Sequence, residues 1–263
     1  MLTKVPSREP GRTEPAGPAA FPFMGSIMTI SALVLTLFAM GGPQAPARPA
    51  EIKPDAGWNA LGRGLWFDPE AKKLIMKARV VLREGPLEHL VCLKGTKEHE
   101  AILATDAVPT QIHAGLLLTG LKPGRPVQFA PRFEPPSGDK VQMTLRWRAD
   151  GKDQSSDAKD WVMDEAKKTP LAVDWVFAGS QLYHDRGTNK MRYAADDGDL
   201  ITVANFASAI LDLPLASSAS DAERSYVANP KTVPPVGTEV FVVFAAPALA
   251  PAPKADLGRK PRP

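Results

Sequence analysis

The sequence predicts an α+β fold, a β-dominated single domain of antiparallel strands with one principal helix near residues 109–120. Three observations point to it. Apolar residues alternate with a period of two in several short runs set apart by turn residues, the mark of half-buried strands. A single segment, 109–120, carries helical periodicity between a proline start and a glycine stop. Prolines crowd the two ends: of 27, nine fall within residues 1–57 and five within 247–263, so the 189 residues between them hold 13.

Taken in order, residues 1–23 set Pro6, Pro10, Pro15, Pro18 and Pro22 among charged side chains, a pattern that supports neither helix nor core and predicts disorder. Residues 24–47 are expected to be a signal peptide or an N-terminal anchor. The uncharged stretch 27–40 has the length of an export signal's apolar region and falls short of the roughly 18 residues a spanning helix needs. Ala45-Pro46-Ala47 then offers the small residues that a signal peptidase requires. Export to the periplasm or cell envelope is the expected location, with membrane contact only through residues 24–42 where the segment stays uncut. A Pro/Ala linker, 48–57, leads to the folded domain, 58–246, and the basic Ala/Pro-rich tail 247–263 is expected to be disordered.

Inside the domain, residues 73–82 place Leu74, Met76, Ala78 and Val80 on one face of a strand, and 89–93 is a second, shorter strand. In the helix, Ile112, Leu116 and Thr119 repeat on one face, and Gly120 and Pro123 stop it. Further strands are expected at 127–130, 141–147, 161–163, 172–177, 190–194, 200–204 and 239–244. Asp160-Trp161-Val162 and Asp174-Trp175-Val176 echo each other across a polar connection and predict a hairpin. Along 141–147 alternation turns Trp147 inward and Arg146 and Arg148 outward.

The segment from Leu87 to Val127 holds a Cys before a Lys94-Gly95 turn, a His99-Glu100 pair, the run Ile112-His113-Ala114-Gly115-Leu116-Leu117 and the exit Gly120-Leu121-Lys122-Pro123-Gly124. In that order these resemble the YdjY-domain family of bacterial proteins. The stretches beginning Asp174-Trp175-Val176, Gly198-Asp199-Leu200 and Pro234-Pro235-Val236 resemble the family's second half, so the likeness covers about residues 70–245. The resemblance implies no reaction. A ferredoxin label attached to some relatives does not carry over, because Cys92 alone cannot hold a cluster.

Charge and cysteine content exclude several classes. With 32 basic against 29 acidic residues, no nucleic-acid partner is expected. One cysteine rules out an internal disulfide framework and any four-cysteine metal site. His99-Glu100 lacks the second histidine of a zinc-protease helix, and no serine elbow or phosphate loop is present. Asp196-Asp197-Gly198-Asp199 reads as a tight turn and lacks the calcium-loop alternation. His89, Cys92, His99 and His113 remain as a possible zinc or copper ligand set, and His99, Glu100 and His113 as a polar network. The functional expectation is an exported, non-catalytic binding or scaffolding domain with no cofactor, an unknown ligand and a protein or envelope partner. The alternatives are a metal-binding or redox-accessory domain using the four ligands above, and a hydrolase with an unrecognised site.

Overall fold

Eight strands close on one another: β1 (Lys73–Val80), β2 (His89–Leu93), β3 (Ala101–Thr105), β4 (Lys140–Ala149), β5 (Trp175–Phe177), β6 (Asp199–Thr202), β7 (Leu211–Asp212) and β8 (Glu239–Ala245). Around the circle they run β1-β8-β4-β5-β7-β6-β2-β3, and β3 returns to β1 through the pairs Arg79 with Ala104 and Val80 with Leu103. The computed structural model describes residues 52–216 and 226–247. Residues 1–23 and 24–47, the first four residues of the linker and the tail beyond Pro247 lie outside them.

The closed barrel corrects the expected α+β arrangement of antiparallel strands. The fold is mostly β, with α1 (Pro109–Leu118) as its one α-helix among the described residues. Two neighbouring pairs are parallel, β2 with β3 and β6 with β7. Parallel neighbours ordinarily need a crossover of a dozen or more residues. Here residues 94–100 and 203–210 suffice because the staves are short: five residues span about 16 Å, which seven extended residues cover with room to turn. Alternation along one strand says nothing about the direction of its neighbour, so neither parallel pair is visible in the local pattern.

The core explains why the longest staves were readable. Leu74, Met76, Ala78 and Val80 of β1 point inward, as do Val240, Val242 and Phe244 of β8. β8 is also covered outside: Phe241 packs edge-on against Trp58 and Trp66, with ring centroids 5.4 and 5.6 Å apart, and Ile75 and Val243 join that outer cluster. Burial on both faces makes β8 an almost unbroken apolar run. Trp147 turns inward to meet Trp161 at 5.4 Å, while Arg146 turns out to pair with Asp55 at 3.0 Å.

α1 buries Pro109, Ile112, Gly115 and Leu116. It lies so close to β1 that a Cβ on Gly115 would come within 2.4 Å of Leu74 Cδ1. Two local expectations fail. Residues 127–130 form no strand and make a single bridge, Gln128 to Glu134. The Trp161–Trp175 hairpin is absent: Val162–Asp164 pairs with Thr169–Pro170 and Tyr226–Ala228 in a separate sheet, and β5 belongs to the barrel. Each half of that echo met a longer-range partner that its own sequence does not reveal. Among the described residues, no helix is long and apolar enough to cross a membrane.

Candidate functional site

The two short return loops and the strands they leave build one polar centre. Parallel register sets His89 beside Ala101, and the Glu88 amide donates to the Glu100 carbonyl at 3.0 Å. Glu88, His89 and Glu100 therefore converge. One ring nitrogen of His89 and one carboxylate oxygen from each glutamate lie within 4.8 Å of one another. From the other loop, the Val203 and Ala204 amides donate to the Glu88 carbonyl at 2.8 and 3.2 Å.

His89 is fully buried, and its Nε2 lies 2.9 Å from Asp199 Oδ1. Its ring stacks on Phe206, centroids 5.2 Å apart. The Lys97 ammonium approaches the same Asp199 oxygen at 2.8 Å and stands 4.9 Å over the Phe206 ring. Ser208 donates its hydroxyl to Asp199 Oδ2. Burial, the largest single influence, would raise the Asp199 carboxyl; the hydrogen bonds from His89, Lys97 and Ser208 outweigh it and hold the group well below the usual carboxylate range. An ionised Asp199 can only accept, so Nε2 carries the hydrogen. In a neutral ring the lone pair then sits on Nδ1, which has no hydrogen-bond partner.

A second buried carboxyl stands behind this centre. Thr202, opposite His89 in the β2–β6 pairing, donates to Asp212 Oδ1 at 2.9 Å. Asn205 reaches both Asp212 oxygens at 3.2 and 3.3 Å, and the Leu213 amide adds a bond of 2.8 Å. For Asp212 burial wins over these donors and pushes the carboxyl up to about 7. Trp175 Nε1 donates to the Thr202 carbonyl at 2.7 Å and fixes the strand between the two acids.

The four residues expected as a ligand set take separate partners. His89 stands in the polar centre. Cys92 is buried in a small apolar cluster with Ala101 and Ala104, and burial pushes its thiol up to about 11. His99 is largely exposed, 3.6 Å from the Glu100 carboxylate. His113, on α1, meets Tyr193 Oη at 2.9 Å and packs against Phe177. The Tyr193 hydroxyl donates onward to the Gly179 carbonyl, so His113 Nδ1 is the donor in that pair. Burial lowers the His113 imidazole from its ordinary value, against a hydrogen bond to Gly179 that works to raise it. The expected His99, Glu100 and His113 network thus reduces to the His99–Glu100 contact.

Glu88, Lys97, Asp199 and Ser208 escaped the sequence reading. Asp199 lies in the acidic turn, which does form: a short 3-10 turn, Ala194–Asp197, ends at Gly198 with φ of 116°. A Cβ there would meet Thr96 Oγ1 at 2.5 Å. The one available signal was adjacency, because Glu88 and Glu100 each flank a histidine that had been singled out. Of these groups, Glu88, His89 and Glu100 are the ones placed to hold a cation together.

The family model described as the YdjY domain matches residues 65–245. No curated protein and no solved structure matches the chain.

Proposed function

The chain belongs to the YdjY-domain family, and from that premise we propose that it is an exported binding or scaffolding domain of the cell envelope that performs no catalysis. The observation that carries the non-catalytic part is the order of three side chains. In nucleophilic Ser-His-Asp machinery the imidazole stands between hydroxyl and carboxylate, so that it can take the serine proton. Here the carboxylate stands in the middle, with Asp199 Oδ1 on His89 and Oδ2 on Ser208. Ser208 already gives its hydrogen to an acid held low on the pH scale, which is a weak base for activating it. The arrangement clamps β6 and its return loop onto β2.

Export is supported by the uncharged stretch 27–40 and the small residues that follow it. Both halves of the proposal are open to direct test. Incubating the purified full chain with a fluorophosphonate probe is expected to leave every serine unmodified, and a covalent adduct on Ser208 overturns the non-catalytic reading. Fractionation of the tagged protein with N-terminal sequencing is expected to place it outside the cytoplasm. Recovery of a soluble cytosolic chain that starts at Met1 overturns export.

A further inference from the structure

We infer that Glu88, His89 and Glu100 form a binding site for a first-row divalent metal ion of the zinc type, with Asp199 orienting the histidine. This deepens the binding reading by naming a ligand, and it stands apart from export and from the Ser208 result.

The first support is an orphaned atom. A buried ring nitrogen without a partner is costly in a native core, and His89 Nδ1 is one. Its other nitrogen is occupied by Asp199 at 2.9 Å. Metal-bound histidines characteristically donate their second N–H to a carboxylate, which fixes the tautomer and strengthens the ligand. Asp199 supplies that arrangement with no metal needed to create it.

The second support is the donor set. Ligand atoms around a tetrahedral zinc ion lie about 3.4 Å apart when each bond is about 2.1 Å. One ring nitrogen of His89 and one carboxylate oxygen each of Glu88 and Glu100 already fall within 4.8 Å of one another, near that spacing. Glu88 is buried and the Glu100 side chain is 12% exposed, which places the ion near the edge of the barrel wall. One imidazole and two carboxylates suit a borderline divalent cation and offer nothing to a thiolate-seeking copper(I). Cys92 cannot change that, since it lies in a separate apolar cluster and its burial disfavours the thiolate.

Charge is the third support. Glu88, Glu100 and Asp199 gather three carboxyl groups around His89 against the single ammonium of Lys97, a balance of side chains that favours a cation. Lys97 is engaged with Asp199, 2.8 Å away, and its side chain is 28% exposed.

The test is titration of the full chain with zinc chloride by calorimetry, with thermal melting alongside. One zinc per chain and a raised melting temperature are expected. Glu100→Gln and Glu88→Gln should each weaken binding at least tenfold while circular dichroism stays native, and Cys92→Ser and His99→Ala should bind as the parent does. No zinc uptake, or uptake that neither glutamate variant weakens, overturns the site. X-ray absorption on the zinc-loaded parent covers the case in which a variant does not fold. It should show nitrogen and oxygen neighbours with one imidazole, and a sulfur shell overturns the assignment. A failed titration removes the metal and leaves the fluorophosphonate result as it stands.

Discussion

Asp199 and Asp212 lie close in the fold and respond to pH in opposite directions. Asp199 is held below its ordinary range, so its stabilising effect is complete above about pH 4 and is lost only as the pH falls further. Asp212 is raised to about 7, so the folded chain keeps a proton that the unfolded chain has already released. Its contribution is whole below about pH 4 and drains away as the pH rises through 7, at up to about 1.4 kcal/mol per pH unit. We expect the melting temperature to fall between pH 4.5 and 8, and Asp212→Asn to flatten that slope; a slope unchanged in the variant would show that another group carries it. At this scale the sequence revealed part of the site. His89 stood out because histidine is rare here, with four in the chain. Glu88 and Asp199 did not, since a glutamate before a strand and an aspartate in a turn are ordinary until a partner from elsewhere arrives.

The helix and the return loops show which elements a sequence declares. α1 was readable to within two residues because its start, stop and apolar face are all local. β1 and β4 were readable because eight and ten residues give alternation time to register, and β8 because five of its seven residues are valine or phenylalanine, side chains that favour strands. β7 has two residues, and β3 is buried along its whole length, so neither shows a period. The loops 94–100 and 203–210 looked like plain connections, yet they carry Lys97, Glu100, Phe206 and Ser208 to the centre. What the helix sequence conceals is how tightly it is pressed to the barrel. Gly115→Val should cost about 1–3 kcal/mol through overpacking against Leu74. The same change at exposed Leu117 should stay within about 1 kcal/mol. Chemical denaturation of both variants decides this, and equal losses would mean that the helix can shift away from β1.

For the molecule as a whole, the pairing between β1 and β8 is a long seam, six consecutive residues from Leu74 with Phe244 to Arg79 with Glu239. β8 pairs as fully with β4 on its other side. Removing β8 by ending the chain after Gly237 should therefore abolish the cooperative melt altogether, and a truncated chain that still melts cooperatively would show that seven staves suffice. Closure was invisible beforehand because it is a property of distant pairs, and each stave looks the same in an open sheet as in a barrel.

That seam joins the first stave to the last. In a chain made from the N-terminus, β1 emerges some 160 residues before the strand that must lie beside it. Until then the inward faces of β1 and β4 flank an empty place, and the ring cannot shut. Completion of the fold is thus tied to the arrival of β8: the barrel can form only after this stave has been delivered, and every earlier length is a sheet with two sticky margins.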